Sequence, residues 1–368
     1  MNGMTGRGGP GAESRMLVLG IETSCDETAA AVVEAGAEGS VPWRQRSSIV
    51  ASQVDIHREW GGVVPELAAR QHVRDICGTV ERALDEAAVT WGDLAAVAVT
   101  QGPGLVGSLL VGVSFAKAAA WAAGKPLIAV NHLAGHIESL WLHNGEIPTP
   151  AVVLVVSGGH TSLYLVPAAG EYRSIGRTRD DAAGEAYDKV AKLLGLGYPG
   201  GPVIDRLATG ADANAVALPS TRLTHPDRNA PTREYRFDFS FSGLKTAVLR
   251  HVRERQSALG VEQLPYDEIR LLAASFQARV VDTLVKRTFA AARWHDARSI
   301  GIAGGVSANS QLREVATARG EHEGISVFVP SPHLSTDNAA MIAAAGLRDF
   351  ARGRFAAPDF NAAASLPL

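Results

Sequence analysis

The sequence predicts a mixed α/β fold in two lobes with a cleft between them. A strand–turn–strand unit spans 17–33, and a similar unit spans 151–166. Between and after these units, apolar strand-like runs alternate with segments of helical periodicity, a pattern typical of mainly parallel sheets covered by helices. The recurrence of the hairpin unit indicates an internally duplicated architecture.

The elements of the first half follow from apolar runs and the turn residues between them. Leu17–Ile21 and Thr28–Val33 are apolar runs joined by a polar turn, so they predict a hairpin. Glu66–Ala88 carries apolar residues at helical spacing. A βαβ unit with Gly and Pro at its turns follows, made of strand Ala95–Thr100, helix Leu105–Ala123 and strand Leu127–Val130.

The second half repeats this alternation. Ala151–Val156 and Thr161–Val166 are β-rich runs around a Ser-Gly-Gly-His turn, which predicts the second hairpin. Further elements are predicted in order as helix Asp181–Leu194, helix Ile269–Arg293, strand Ser299–Ala303, a helix from Asn309, strand Ile325–Val329 and helix Asn338–Ala351.

These elements suggest a division of the chain into domains. Residues 1–15 contain five glycines and few apolar side chains, so we expect a disordered tail. We expect an N-terminal lobe at 16–148, completed by the helix at about 338–352, and a C-terminal lobe at 149–335.

Composition narrows the class of protein. The chain is 46% hydrophobic and 20% charged, which is typical of globular proteins. Its two cysteines, Cys25 and Cys77, are too few for a disulfide framework and indicate a reducing compartment. The longest uncharged apolar stretch, Leu105–Ala116, is shorter than a membrane span, so we expect a cytoplasmic protein without membrane contact. A net charge of −3 argues neither for nor against a nucleic-acid partner.

The most specific local motif is a pair of histidines, His132 and His136, in the sequence His-Leu-Ala-Gly-His. On a helix, residues four apart share one face, so both imidazoles can reach one metal ion. No glutamate lies between them, which removes the general base of a His-Glu-x-x-His metalloprotease. Asp337 is a candidate third ligand, and two histidines with one carboxylate suit divalent iron or zinc. Alternatively, the histidines are hydrogen-bonded surface groups and Asp337 or Thr336 caps a helix.

Glycine-rich turns near strand ends form a second class of candidate site. They are Ser157-Gly158-Gly159, Gly200-Gly201 and Gly304-Gly305. Exposed backbone N–H groups in such turns can cradle a phosphate or a ribose, and Asp205 and Asn309 lie close behind two of them. No turn matches a P-loop or a dinucleotide fingerprint, which argues against P-loop ATP hydrolysis and hydride transfer. Together the turns predict a nucleotide site at the carboxyl edge of a sheet.

Acidic residues cluster in two places. Asp26 and Glu27 lie in the first hairpin turn, and a second group lies where a helix is predicted to start. We interpret Asp180 and Asp181 as partners of the helix dipole. Asp188 lies on the same helix face as Glu185 and Asp181, so this edge is a candidate ligand-facing surface.

A basic stretch runs from Arg206 to Arg255. Nine Lys and Arg residues occur there beside five acids, and Phe237, Phe239 and Phe241 are interspersed. Basic residues with aromatics suggest a nucleic-acid face. A solvated loop over a core strand is the alternative interpretation.

Taken together, ordered motifs in this chain resemble the TsaD family of bacterial tRNA threonylcarbamoyladenosine-forming transferases. The motifs are Gly20–Thr28, Gly62–Ala68, Gly102–Leu105, His132 with His136, Ser157–Thr161, Asp181–Lys189, Tyr198–Pro202, Phe239–Lys245, Gly304–Asn309 and Thr336–Asn338. They extend from about Leu17 to about Gly346. The resemblance implies a two-lobed actin-like ATPase (ASKHA) fold with duplicated lobes and a central cleft.

The resemblance also implies an activity and the residues that carry it. The reaction moves the threonylcarbamoyl group of threonylcarbamoyl-AMP to the exocyclic amine of the adenosine adjacent to the anticodon in tRNAs that read codons beginning with A. The implied metal ligands are His132, His136 and Asp337, for one divalent ion that is iron or else zinc. The implied adenylate-binding residues are Val155, Val156, Ser157, Gly158, Gly159, Asp188, Gly201, Asp205 and Asn309. The glycine turns add Gly304 and Gly305 to this set. Asp26, Glu27 and His160 are hypothesised to line the cleft, orient the reactants or accept the amine proton.

The implied partners are tRNA, a smaller TsaB-like paralogue, a TsaE-like ATPase and a TsaC-like synthase that supplies the adenylate. Pairing with the paralogue is expected to use the helices at Glu66–Ala88 and Leu105–Ala123. Two alternatives remain open: a sugar or acetate kinase on the same fold, and a non-catalytic subunit of the same complex. A peptidase is opposed by the missing glutamate of the histidine motif.

Overall fold

The computed structural model describes residues 15–36, 41–220 and 237–368. The predicted tail lies outside these ranges except for Arg15. The strands are β1 (Met16–Glu22), β2 (Glu27–Ala35), β3 (Arg44–Gln45), β4 (Ile49–Ser52), β5 (Ala96–Gly102), β6 (Leu127–Asn131), β7 (Ala151–Val156), β8 (Thr161–Val166), β9 (Arg173–Arg177), β10 (Ser299–Ala303) and β11 (Ser326–Phe328). The helices are α1 (Val54–Arg58), α2 (Pro65–Ala87), α3 (Val106–Ala123), α4 (His132–Asn144), α5 (Ala183–Leu193), α6 (Gly200–Ala208), α7 (Ser242–Leu259), α8 (Tyr266–Trp294), α9 (Ser310–Glu323), α10 (Pro332–Ser335) and α11 (Ala339–Ala351).

Two sheets repeat one topology. The first has the order β3-β2-β1-β5-β6, with β4 also pairing β2, and the second has the order β9-β8-β7-β10-β11. In each sheet the first three of these strands pair antiparallel and the last two join in parallel. This equivalence confirms the duplicated, two-lobed α/β fold, because matching strand order and direction recur in both halves.

The predicted elements match the observed ones within a few residues. The predicted strand Ile325–Val329 is shorter than expected, since β11 spans only Ser326–Phe328. The helix expected from Asn309 begins at Ser310, after a short 3₁₀ turn at Gly305–Ala308. Several short elements, β3, β4, β9, α1, α6 and α10, were not predicted, because their few residues carry no clear periodicity. The longer helix α7 was also not predicted; it lies in the basic stretch that was interpreted as a nucleic-acid face or a loop.

Helix α11 forms the centre of the first lobe. Its packing sets the distance between the two parts of the candidate site described below. It packs on β1, β2, β5, β6 and α4. Glycines allow this close packing: a Cβ at Gly20 of β1 would lie 2.2 Å from the Ala339 carbonyl oxygen, and one at Gly135 of α4 would lie 2.8 Å from Ile342 Cδ1. The start of α11 is therefore held at a fixed distance from α4.

A buried ion pair joins α4 and α11 to the second sheet. Glu138 accepts hydrogen bonds from Arg348 Nη2 at 2.8 Å and from the Tyr172 hydroxyl at 2.6 Å. The Arg348 guanidinium also lies 4.6 Å above the Trp43 ring. Since Glu138 is fully buried, removal of either partner would leave an uncompensated charge, so this network holds α4 in place between the sheets.

Helix α3 is apolar enough, by length and composition alone, to cross a membrane. It packs against α2 and the first sheet through β5, and about one third of it is buried. A helix that covers a sheet meets the same criterion.

We expect Gly20→Val to destabilise the fold by about 3 kcal/mol, because a side chain there meets backbone atoms of α11 that cannot move aside. Gly78→Ala is the matched control, since nothing lies within 4 Å of a Cβ at this exposed position of α2. Alanine should stabilise α2 by about 0.5–1 kcal/mol. Urea unfolding followed by circular dichroism measures both changes. Equal stability of the two variants would contradict the described packing of α11.

Candidate metal centre and nucleotide cleft

Helix α4 begins at the first histidine of the predicted motif. The Asn131 side chain at the end of β6 accepts a hydrogen bond from the Leu133 N–H at 2.9 Å, so it caps the helix. His132 and His136 then lie one turn apart, and both are buried. The helical conformation on which the motif depends is therefore present, and the alternative of surface histidines is wrong.

The third predicted ligand lies opposite this face. Asp337 Oδ1 is 3.2 Å from His136 Nε2 and 3.6 Å from His132 Nε2. One ligand atom from each of the three residues lies within 4.8 Å of the others. The cap of α11 is instead Asn338, whose side chain accepts from the Met341 N–H at 3.0 Å, so the capping alternative for Asp337 or Thr336 is wrong.

The residues of this triad fit a metal ion. Both ring nitrogens of His136 are buried without a hydrogen-bond partner; Nε2 is close to Asp337 but lacks hydrogen-bond geometry. An unsatisfied buried imidazole is costly, whereas coordination would satisfy its Nε2 atom. Two imidazoles and one carboxylate converging on one point are a common donor set for divalent transition metals.

Glu22, which the sequence did not single out, supports the triad from behind. Its fully buried carboxylate accepts from the Thr100 hydroxyl at 2.6 Å and from the Ser24 N–H, and it lies 3.0 Å from His132 Nδ1. Burial lowers the pKa of His132, but the charges of Asp337 and Glu22 outweigh it and raise that pKa to about 9. A carboxylate on the far nitrogen of a histidine orients its other nitrogen toward a metal. The signal available in the sequence was a glutamate closing an apolar strand.

The hypothesised second group lies beside this triad. The His160 ring centroid is 6.3 Å from that of His132. Burial, together with the charges of His132 and His136, lowers the pKa of His160 to about 4, so its ring is neutral at pH 7. Asp26 is buried, and burial together with its charge raises the pKa of Glu27 to about 10. The structure thus brings Asp26, Glu27 and His160 to the region around the triad.

The first glycine turn leads directly into His160. The Ser157 N–H donates to the His160 carbonyl at 2.8 Å, which closes the turn after β7. A Cβ at Gly158 or Gly159 would meet nothing within 4 Å, so this backbone borders open space. Val155 and Val156 are fully buried within β7, backbone included, so they support the turn from inside the sheet.

The third glycine turn lies against the first. Gly304 has φ of 91°, and a Cβ there would lie 2.5 Å from the Val156 carbonyl oxygen, so only glycine fits. Gly305, and Gly201 at the start of α6, border open space in the same way as Gly158. Glycine turns from β7 and β10 therefore meet at the carboxyl edge of the second sheet, as predicted.

A polar network joins α6 to the third turn. Asp205 Oδ1 accepts from Asn309 Nδ2 at 3.0 Å and from Gln277 Nε2 at 2.9 Å, and Oδ2 accepts from the Ser310 N–H at 3.0 Å. Asn309 Nδ2 also donates to Gln277 Oε1 at 2.8 Å. Asn309 therefore donates both amide protons to protein acceptors, and its direct effect is to hold Asp205 in place. Sequence reasoning missed Gln277, although a glutamine in the apolar face of α8 was a signal.

Asp188 lies at the junction of α5 and α6. It accepts from the Gly200 N–H at 2.7 Å. Burial raises its pKa, and the charge of Asp26 raises it further, so the two carboxyl groups are near enough to interact across the cleft. Asp188 therefore lies on the side of the second lobe that faces the first hairpin turn.

Two interpretations of the acidic cluster need correction. Helix α5 begins at Ala183, so Asp181 does not share its face with Asp188; it pairs with Lys189 at 2.7 Å and Lys245 at 3.3 Å. Asp180 does bind a helix N-terminus, but that of α7, where it accepts from the Phe241 N–H at 2.8 Å. Both aspartates therefore fix the start of α7.

The basic stretch is not an aromatic nucleic-acid face in the part that the structure describes. Phe237, Phe239 and Phe241 are buried in the core of the second lobe. Arg255 pairs with Glu268 at 2.6 Å. Arg222, Arg228, Arg233 and Arg236 lie outside the described residues.

Comparisons with known proteins identify the family of this chain. A family model described as TsaD, tRNA N6-adenosine threonylcarbamoyltransferase, matches residues 45–344. Proteins of that name from Koribacter versatilis and Anaeromyxobacter dehalogenans (strain 2CP-C) are 50% and 54% identical; the alignments cover 96% and 94% of this chain and 99% and 97% of those proteins. Among solved structures, component A of the (R)-2-hydroxyglutaryl-CoA dehydratase of Acidaminococcus fermentans is 13% identical with a TM-score of 0.49, covering 91% of this chain and 98% of that one. The chain belongs to the TsaD family of tRNA N6-adenosine threonylcarbamoyltransferases.

Proposed function

We propose that one cleft of this chain holds a divalent metal ion and threonylcarbamoyl-AMP side by side during the family's reaction. As a member of its family, the chain carries tRNA N6-adenosine threonylcarbamoyltransferase activity, an acyl transfer in tRNA modification. The observation that supports the arrangement is the unpartnered His136 ring facing Asp337, beside the turn that runs from Gly158 to His160. The comparisons do not favour a kinase or a non-catalytic subunit.

We assign the ion to His132, His136 and Asp337, with iron preferred and zinc as the second choice. Two histidines and one carboxylate leave coordination positions open for a substrate. When bound, the ion supplies Lewis-acid polarisation of a substrate oxygen. Glu22 holds the Nδ1 side of His132, which directs Nε2 toward the ion.

The adenylate is assigned to the second lobe. Gly158, Gly159, Gly201 and Gly305 are free of side-chain bulk, and their backbone suits the approach of a phosphate, although the Gly201 N–H already bonds to Asp188. Asp205 Oδ2 receives one hydrogen bond from the protein, so it can accept another from a ribose hydroxyl. Asp188 and Asn309 keep the α6 end of this site in place. Val155, Val156, Ser157 and Gly304 form the packed strand ends that carry these turns.

Because the acyl donor is already activated, the reaction needs the protein mainly to position the two reactants. The exocyclic amine of adenosine is a weak nucleophile, so the acyl donor is a mixed anhydride with AMP as leaving group. The amine nitrogen bonds to the carbamoyl carbon, the bond from that carbon to the phosphate oxygen breaks, and one amine proton leaves. His160 is neutral at pH 7, so one of its ring nitrogens carries no proton, and we assign it as the candidate acceptor for the amine proton. Asp26 and Glu27 are assigned to orient the reactants from the first lobe.

The proposed partners are tRNA, a TsaB-like paralogue, a TsaE-like ATPase and a TsaC-like synthase, in the cytoplasm and without a membrane. We propose lobes at 16–148 and 149–335, with the segment at about 338–352 completing the first; the packing of α11 on the first sheet supports this. The surface of α2 and α3 supports pairing with the paralogue. Trp121 is 88% exposed and Val73 is 63% exposed, and Val106 and Leu110 are exposed on α3.

We expect Trp121→Asp to weaken binding of the TsaB-like paralogue at least 10-fold, because large aromatic side chains dominate interface energies and a charge in an apolar contact is costly. Tyr266→Asp is the control, since Tyr266 is exposed on α8 of the second lobe. Titration calorimetry with the purified paralogue measures both affinities. Unchanged affinity in the Trp121 variant would place the interface elsewhere.

A reconstitution tests the whole proposal. The full chain is combined with unmodified tRNA, threonine, bicarbonate, ATP and the partner proteins, and the tRNA nucleosides are analysed by mass spectrometry. We expect threonylcarbamoyladenosine only when this chain is present and metal-loaded. Phosphorylation of a sugar or of acetate without tRNA modification would support the kinase. Modification without this chain would support a non-catalytic role.

A further inference from the structure

The final segment of the described chain, residues 361–368, crosses the first lobe next to the metal centre; we call it the strap. It lies beyond the 45–344 range that the family model matches. The Ala363 N–H donates to the Gln101 carbonyl at 2.9 Å, and the Gly104 N–H donates to the Ala364 carbonyl at 3.2 Å. The strap therefore hydrogen-bonds to the turn between β5 and α3 from both directions.

Glycine at position 102 is explained by this contact. A Cβ at Gly102 would lie 2.0 Å from the Ala363 carbonyl oxygen, so any other residue would push the strap away. The residue that comes closest to Gly102 thus belongs to the strap, which makes the strap a packed part of the turn and not a loose end.

A second contact reaches the helix that carries both histidines. Asn131 Nδ2 donates to the Leu366 carbonyl at 3.1 Å and lies 3.4 Å from the Pro367 carbonyl. The Oδ1 atom of the same side chain accepts from the Leu133 N–H and caps α4. One amide therefore joins the strap to the first turn of α4, and its two ends serve different partners.

A third contact connects the strap to His132 through the turn between β5 and α3. The Leu105 N–H donates to the Ser24 carbonyl at 2.8 Å, and a Cβ at Gly104 would lie 2.6 Å from that oxygen. Ser24 Oγ in turn lies 3.2 Å from His132 Nδ1. Two separate paths, through Asn131 and through Ser24, thus connect the strap to His132.

We propose that the strap positions His132 as a metal ligand; this rests on the proposed metal centre. His132 is the first residue of α4, where helices fray because the terminal N–H groups lack internal partners. His136 lies a turn further in, where Gly135 packs on Ile342, and does not depend on the strap. Loss of the strap weakens the support of one ligand of three, while Glu22 still contacts His132 Nδ1.

Removal of the strap takes away the core contacts of Ala362 and Leu368 but leaves the anchor that precedes it. Its end borders a cavity of about 550 Å³ whose lining includes Asn131, Tyr172 and Leu368. Phe360, just before the strap, packs on the core of the first lobe under Lys117, so a chain that ends at Phe360 keeps this anchor.

The test measures Zn²⁺ affinity of the full protein by competition with a chromophoric chelator. A chain ending at Phe360 should bind about 10-fold more weakly than the full chain, as expected when support behind a ligand is lost. Asn131→Asp keeps the cap but replaces the donor with a carboxylate, so it should lose about threefold. Ser365→Ala removes an exposed hydroxyl of the strap and should bind like the full chain. A synthetic peptide of residues 361–368 should restore affinity to the shortened chain.

The outcomes separate two failures. If the full chain binds no Zn²⁺ or iron, the proposed metal centre is wrong. If the full chain binds Zn²⁺, and the shortened chain and Asn131→Asp bind it equally well, the strap has no positioning role. If the shortened chain does not fold, Asn131→Asp decides, because it retains every strap residue; normal affinity there overturns the proposal, and weakened affinity with an unchanged melting temperature supports it.

Discussion

The His136→Ala variant is expected to lose its bound metal ion and at least about 100-fold of its tRNA-modifying activity. His136 is fully buried, and both of its ring nitrogens lack a hydrogen-bond partner. Asp337 Oδ1 lies 3.2 Å from its Nε2, and the His132 ring centroid lies 4.7 Å from its own. Its ring nitrogens make no hydrogen bond that folding would lose, so its removal should affect metal binding more than folding.

The measurement combines metal content by mass spectrometry with nucleoside analysis of the reconstituted reaction. His143→Ala is the matched control: it is the same substitution on the same helix, but at an exposed position of the last turn. It should retain metal and activity. A His136 variant with full metal content would refute the assignment of the triad, and one without metal but with full activity would refute the role of the ion.

The duplicated fold was predictable because it rests on long periodic elements. The hairpins at 17–33 and 151–166 and the βαβ unit from Ala95 to Val130 carry strong patterns, and the structure shows them within a few residues. Phe237, Phe239 and Phe241 show the limit of this reasoning. Alternating aromatic residues among basic ones give the same sequence pattern whether they face a core or solvent. Only the packing in the structure shows that these three face the core.

The candidate site was partly predictable for a similar reason. Histidines at i and i+4 share a face whenever the segment is helical, so one local rule places His132 and His136 together. The supports of the site depend on long-range contacts that no local pattern encodes. Glu22 reaches His132 from a strand more than a hundred positions away, and Gln277 reaches Asp205 from another helix.

Asp205→Ala is expected to raise the KM for threonylcarbamoyl-AMP about 10- to 100-fold, through two effects on the nucleotide side of the cleft. The variant removes the acceptor that we assign to a ribose hydroxyl. It also leaves the donors of Gln277 and Asn309 and the Ser310 N–H without their present acceptor, so the third glycine turn loses its link to α6. Metal content should stay normal, because Asp205 belongs to the second lobe and makes no contact with the triad.

The size of the second effect can be measured separately. Gln277→Leu keeps the volume of a buried side chain but removes its bonds to Asp205 and Asn309, so it should raise KM by a smaller factor, about 3- to 10-fold. Glu321→Ala, an exposed carboxylate on α9, is the control and should leave KM unchanged. The readout that distinguishes the variants is whether KM or kcat changes. Both are measured with varied threonylcarbamoyl-AMP and saturating tRNA. If Asp205→Ala lowers kcat at constant KM, or strips the metal, then Asp205 does not bind the adenylate and the division of the cleft into a metal side and a nucleotide side is wrong.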